Sequence, residues 1–194
     1  MQNIEFENAI LQLSKLNGVS KKGAIKIAQH IIKYSSNNFE DLISSLNELR
    51  EKTKPCLKCN LIQSELICSF CNNAQRRKTL MIFEISSNVF KFEKLGIYNG
   101  YYFITDPLLS DRIIRSEPFW MKQLINYIDN GIEEIVFAIS PTLSGEITMQ
   151  YIKTYLANRN IKTSRFAVGL PINSEVDYID DMTLTAAFKN RTGE

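Results

Sequence analysis

The stretch CLKCNLIQSELICSFC, residues 56–71, holds all four cysteines of the chain as two CxxC pairs separated by eight residues. Two such knuckles facing each other give the four-thiolate tetrahedral shell that Zn²⁺ prefers, with Zn–S distances of about 2.3 Å. Two disulfides or a redox dithiol would use the same residues, and the cellular compartment separates these readings. The N-terminus MQNIEFENAI has neither a basic region nor an apolar stretch, and no run of eighteen apolar residues occurs. This points to a cytoplasmic chain with no membrane span. Thiols stay reduced there, so the spacing predicts one structural Zn²⁺ per chain, held by Cys56, Cys59, Cys68 and Cys71. Four protein ligands leave no position open for activating water. Metal binding should instead supply folding energy to a segment too short to have a core of its own.

With 194 residues, 44% of them hydrophobic, there is material for one α/β domain and a small accessory module. Side chains sum to +2; four thiolates and a divalent cation bring the loaded protein close to neutral. Any affinity for nucleic acid must therefore come from a local patch. The sequence places one near the N-terminus. FENAILQLSKL (6–16) reads as a helix, NGVS as a turn, and KKGAIKIAQHIIKYS (21–35) as a second helix with Ala24, Ile27, Ala28 and Ile31 on one face. Lys22 and Lys26 lie four residues apart beside the start of that helix, where unpaired amides and the helix dipole favour a phosphate. An amphipathic hairpin with a solvated lysine face would give the same pattern. The single histidine, His30, lies toward the end of this helix and is expected to cap or pack.

A third helix, 37–52, is expected to start at Asn38 as its cap, and Pro55 ends it before the cysteines. NNAQRRK (72–78) is a basic connector. Beyond it, four apolar runs of strand length, 79–86, 100–105, 133–140 and 162–169, alternate with helical segments. One helix, 118–131, is expected to carry Pro118 in its first turn, and another, 144–160, to be capped by Ser144. This alternation predicts a mostly parallel sheet flanked by helices, with function just past the C-terminal strand ends. Those positions are Glu84 and the loop SPTLSGE, 140–146.

The helical hairpin, the four-cysteine module, the FE strand end, the SPxxxGE loop and GLPINSEVDYIDDMTL, in this order, resemble the RecR family of bacterial recombination mediators over essentially the whole chain. The resemblance implies a helix-hairpin-helix DNA-binding unit at 1–53, a four-cysteine zinc finger at 54–75, a Toprim domain at 76–172 and a Walker-B-like segment with a helix at 173–194. It implies Gly18, Lys21, Lys22 and Lys26 as DNA-binding residues, and Glu84 and Glu146 on the face that meets RecO. It further implies a ring-shaped homotetramer, associated with the nucleoid during repair, which works with RecO and RecF to load RecA at single-stranded gaps without catalysing a reaction itself. Catalytic Toprim sites combine such a glutamate with a DxD loop. Here the two aspartate positions are Ser140 and Thr142, which hold Mg²⁺ poorly. The chain departs from the family pattern at Ser20, Ser144, Val168 and Asp106–Pro107. Asp180 and Asp181 read as an acidic cap on the last helix, because the GxxxxGK[ST] loop that would accompany a nucleotide site is missing. Two other functions fit parts of the pattern: a Toprim metal-dependent nuclease or primase-like enzyme, and a zinc-bearing adapter that binds protein only.

Overall fold

Serine and asparagine side chains set the helix starts in the N-terminal part of the computed structural model, which describes residues 3–109 and 117–191. Asn3 accepts from the Phe6 amide and opens α1 (Ile4–Leu13); Ser20 accepts from the Gly23 amide and opens α2 (Lys21–Ile31). α3 (Ser36–Lys52) starts at Ser35 and not at Asn38, because Asn38 supplies the amide that the Ser35 hydroxyl accepts. α1 and α2 pack through Ile10, Ala24 and Ala28, with Phe6, Leu13, Val19 and Ile25 around them. The two alanines supply the small surface that lets helices approach closely. Leu16, included in the expected first helix 6–16, falls in the turn beyond α1 and is exposed. α3 buries none of its residues, and its Phe39, Ile43, Leu46 and Leu49 face solvent. His30 meets Tyr34 edge-on, with ring centroids 5.1 Å apart, a packing role.

The chain divides into two compact units, Met1–Thr53 and Lys54–Glu194. In the second, a short antiparallel pair, β1 (Lys54–Pro55) and β2 (Ile62–Gln63), frames the first cysteine knuckle, and α4 (Ser69–Asn72) carries the last cysteine. A four-stranded all-parallel sheet follows: β3 (Arg77–Phe83), β4 (Gly100–Ile104), β5 (Glu134–Phe137) and β6 (Lys162–Arg165), in the order β4-β3-β5-β6. Helices α5 (Ser86–Leu95), α6 (Met121–Asp129), α7 (Leu143–Leu156) and α8 (Asp181–Lys189) complete the unit. The parallel sheet and its helices match the expected fold class. Buried Leu80, Ile82, Phe83, Phe103, Ile135 and Phe137 form its centre. The chain goes from β3 to one neighbour, β4, and then to the other, β5. The strand order therefore reverses at β3, and its C-terminal end lies at a switch point of the topology.

Several boundaries differ from expectation. β3 stops at Phe83 because α5 starts at Ser86, a helix that the sequence pattern does not announce. Pro118 precedes α6, its carbonyl accepting from the Met121 amide in a turn that leads into the helix. α7 is capped by Thr142, whose hydroxyl accepts from the Gly145 amide, so Ser144 is inside the helix. Among the described residues no helix is long and apolar enough to cross a membrane.

Candidate metal centre and functional surfaces

The first knuckle is built by backbone hydrogen bonds: the Cys56 amide donates to the Leu61 carbonyl and the Asn60 amide to the Cys56 carbonyl. Asn60 takes a φ of 60°, the left-handed turn that brings Cys59 back beside Cys56. The second knuckle uses a helix start. Cys68 caps α4, and its sulfur accepts from the Cys71 amide at 3.4 Å, while the Cys68 amide donates to Cys56 Sγ at 3.4 Å. Amides aimed at sulfur stabilise thiolates.

The four sulfurs all lie within 4.8 Å of one another, and all four cysteines are free. Cys56 and Cys71 sulfurs are 3.9 Å apart, Cys59 and Cys68 sulfurs 3.6 Å. A disulfide needs about 2.05 Å. A tetrahedron with 2.3 Å metal–sulfur bonds needs edges of about 3.8 Å, and the two separations bracket that value. The cluster can hold a metal ion. The thiols are unequal: hydrogen bonds from Cys59, Cys68 and Cys71 pull Cys56 below an ordinary thiol, whereas its bond with Cys56 pushes Cys59 up. A central cation removes this conflict by favouring all four thiolates at once.

Tyr127 is an outer partner that the sequence pattern does not reveal. Its hydroxyl lies 3.2 Å from Cys71 Sγ, and burial, followed by that hydrogen bond, pushes the phenol up so that it stays protonated and can donate. In the sequence it is one more residue on the apolar face of α6. The module is also anchored to the sheet: the Ile104 amide donates to the Cys59 carbonyl, and Asn60 Nδ2 donates to the Ile104 carbonyl. Cys56, Cys59, Leu61 and Cys68 belong to the same buried cluster as the sheet.

Glu84 follows β3 directly, and Ser140 follows β5. Their strands are neighbours, so Ser140 Oγ donates to Glu84 Oε1 at 2.5 Å. Glu146, in the first turn of α7, forms an ion pair with Arg165 at 3.0 Å. The two glutamates are thus each engaged by the chain's own side chains. Among the described residues, the only group of three or more metal-ligating side chains is the cysteine cluster.

In the N-terminal unit Gly18 has a φ of +81°, and Lys21, Lys22 and Lys26 are exposed on α2. Ser20 is the cap of α2 and satisfies the Gly23 amide. In the connector, Arg76 is not available as a surface cation, since it forms two 2.9 Å bonds with Glu93 and donates to the Gly100 carbonyl. At the other departures, the Asp106–Pro107 peptide is cis, and the Val168 carbonyl accepts from Asn190 Nδ2. Asp180 caps α8 by accepting from the Thr183 amide and hydroxyl, and that backbone bond lowers its carboxyl.

A Toprim domain family model matches residues 78–167, and a model for the RecR C-terminal region matches residues 169–192. The "Recombination protein RecR" of Mycoplasmopsis pulmonis (strain UAB CTIP) is 46% identical over 191 residues, covering 98% of this chain and 100% of that protein. The protein of the same name from Cytophaga hutchinsonii is 32% identical, covering 96% and 93%, and that from Syntrophobacter fumaroxidans is 31% identical, covering 96% and 94%. With a parallel Toprim sheet, a four-cysteine cluster and relatives matched over nearly their whole length, this chain belongs to the RecR family of recombination proteins.

Proposed function

We propose that this protein is a non-catalytic DNA-binding clamp of recombinational repair, acting in the cytoplasm at the nucleoid. In this reading it assembles into a ring-shaped tetramer and works with RecO and RecF to help load RecA at single-stranded gaps. The observation that carries the DNA-binding part is the start of α2. Ser20 caps one amide, Gly18 makes the tight turn, and Lys21, Lys22 and Lys26 are exposed on the first turns of the helix that follows. Amides and lysines in this arrangement hold backbone phosphates without reading bases, so binding is sequence-independent and falls with salt.

The non-catalytic part rests on the strand ends. Metal-dependent strand cleavage needs converging carboxylates around Mg²⁺. The hydroxyl of Ser140 occupies Glu84, and Arg165 neutralises Glu146. These two glutamates are instead assigned to the RecO-facing surface. Zn²⁺ is assigned to Cys56, Cys59, Cys68 and Cys71, where it would tie two knuckles to the end of β4 as a structural ion. The proposed domain division is 1–53 for the hairpin unit, 54–75 for the zinc finger, 76–172 for Toprim and 173–194 for the C-terminal segment.

The test is an anisotropy titration of labelled DNA at two salt concentrations. Lys22→Glu combined with Lys26→Glu should nearly abolish binding and flatten the salt dependence by about one to two units of slope per engaged subunit. Lys153→Glu, outside the hairpin, should change little. Equal affinity and slope in the double variant and the parent would overturn the hairpin assignment. Mg²⁺-dependent cutting of DNA by the parent, lost in Glu84→Ala, would overturn the non-catalytic reading.

A further inference from the structure

Glu84 and Ile85 alone link β3 to α5, and this short link is held at both ends. At the first end the Phe83 carbonyl accepts from the amide and the hydroxyl of buried Thr105, at 3.0 and 3.3 Å, so this end belongs to the sheet. At the other end Ser86 Oγ accepts from the Ile62 amide at 3.2 Å, across 24 residues of sequence. Ile62 lies in β2, part of the hairpin that frames the first cysteine knuckle. Opposite it in β1 stands Pro55, which has no amide, so the two-bond exchange of an antiparallel pair is not made here and the Ile62 amide donates outside the hairpin.

This bond matters to the start of α5. Ile85 stands at the cap position and offers no acceptor, so α5 has no side-chain cap and its first turn depends on outside contacts for its placement. The hydroxyl of that turn is taken by the knuckle. Within the module, the Cys56 amide donates to the carbonyl of Leu61, the residue before Ile62, at 2.8 Å. A shift of Cys56 is thereby passed to Ile62, from Ile62 to Ser86, and along two residues of chain to Glu84. The module's other ties, from the Ile104 amide to the Cys59 carbonyl at 2.9 Å and from Asn60 Nδ2 to the Ile104 carbonyl at 3.3 Å, end on β4 instead. Two separate routes therefore leave the module, and only the one through Ser86 reaches the acidic strand end from outside the sheet.

We propose that Ser86 is a positioning residue that carries the geometry of the four-cysteine cluster to Glu84, so that the strand-end surface takes its final shape when the four thiolates close around a metal ion. Its consequence for a partner rests on the reading above that Glu84 faces one. Coupling of this kind is reciprocal: a partner that holds Glu84 in place also tightens metal binding.

The test exchanges Zn²⁺ for the larger Cd²⁺ in the full chain, which keeps the four thiolate ligands while widening the cage, and follows backbone amides by NMR. In the parent the exchange should shift the amides of Ile104, Glu84 and Ile85. In Ser86→Ala, Ile104 should shift as in the parent, because its bonds to Cys59 and Asn60 remain, while the shifts at Glu84 and Ile85 should fall to about half or less. Ser86→Thr, which keeps the hydroxyl, should restore them. A merely structural role for Ser86 would lower the melting temperature without separating Glu84 from Ile104. Unshifted Glu84 and Ile85 in the parent, or equal shifts in the parent and Ser86→Ala, overturn the proposal. In titrations with a RecO-like partner, Ser86→Ala should weaken binding about threefold at unchanged metal content, and Ser86→Thr should not. Weakening by Glu84→Ala but not by Ser86→Ala also overturns the proposal. Undiminished binding by Glu84→Ala overturns the partner-facing assignment of Glu84, and the amide shifts alone then decide the role of Ser86.

Discussion

Ser140 Oγ donates to Glu84 Oε1 at 2.5 Å, across the ends of two adjacent parallel strands. A hydroxyl here stabilises the lone carboxylate as a donor, whereas a second carboxylate at this distance would need a cation between the two. Ser140→Ala should therefore cost about 1 kcal/mol in urea unfolding. Ser140→Asp should cost about 1–2 kcal/mol at neutral pH through like-charge repulsion, with part recovered in millimolar Mg²⁺. An aspartate variant as stable as the parent without Mg²⁺ would show that the two side chains are free to move apart.

Gly145 shows why the loop has its shape. A methyl group there would collide with the Ser140 carbonyl oxygen and press on Ile139 Cγ2 at 3.0 Å. The first obstacle is backbone and cannot rotate away. Gly145→Ala should cost more than about 2 kcal/mol and displace Ser140 from Glu84. Its check is the melting temperature together with binding of a RecO-like partner, which should weaken if Glu84 faces that partner as proposed. A neutral effect on both would mean that α7 can shift at its first turn without consequence.

How far the sequence reveals this architecture depends on whether the signal is local. The cysteine cluster is legible because spacing and metal geometry are both short-range, and the four strands are legible because apolar runs need only local sequence, although the runs overreach the ends of β3, β5 and β6. Ser20 stands in the sequence as a departure from the hairpin pattern. In three dimensions its hydroxyl does a capping task that glycine could not, accepting from the Gly23 amide. The roles of Tyr127 and Arg76 are not legible, because their partners Cys71 and Glu93 are separated from them by 56 and 17 residues. Helix α5 is hidden because its exposed Phe90 and Leu95 interrupt the amphipathic pattern.

The Ser20 cap gives a graded prediction. Ser20→Ala removes the acceptor and should cost about 1 kcal/mol, while Ser20→Gly should cost only a few tenths. Gly18→Ala has open space for its methyl, so its cost of about 1 kcal/mol comes from the backbone alone at a φ of +81°. Thermal unfolding of the three variants checks the order. Ser20→Ala matching the parent would remove the cap from the account of α2.

Metal removal should be felt at the sheet and not only in the knuckles. The Ile104 amide is held by the Cys59 carbonyl, and Cys59 lies in the shared buried cluster. Cys59→Ser, or chelation, should lower stability by more than about 3 kcal/mol and speed amide exchange at Ile104. Thr105, whose amide is held by the Phe83 carbonyl within the sheet, should respond less. Equal protection of Ile104 with and without metal would make the module an appendage.

The Arg76–Glu93 pair gives a prediction in pH. Its side chains are 9% and 28% exposed, and Tyr102 adds a third bond by donating to Glu93 Oε1. Burial alone would raise the Glu93 carboxyl, but hydrogen bonds from Arg76 and Tyr102 outweigh it and hold the group below its ordinary value. A lowered folded-state pKa means that the unfolded chain binds the proton more readily. The pair's contribution is then fully present above the unfolded value of about 4.3 and is lost as pH falls through the lower folded value. Glu93→Gln should be less stable than the parent by about 1–3 kcal/mol at pH 7, a range between exposed and fully buried pairs. The difference should shrink steadily below about pH 4. Taking the difference between the two proteins cancels any acid release of metal, which affects both. A gap that stays constant from pH 7 down to pH 3 would mean that Glu93 is held by shape and not by charge.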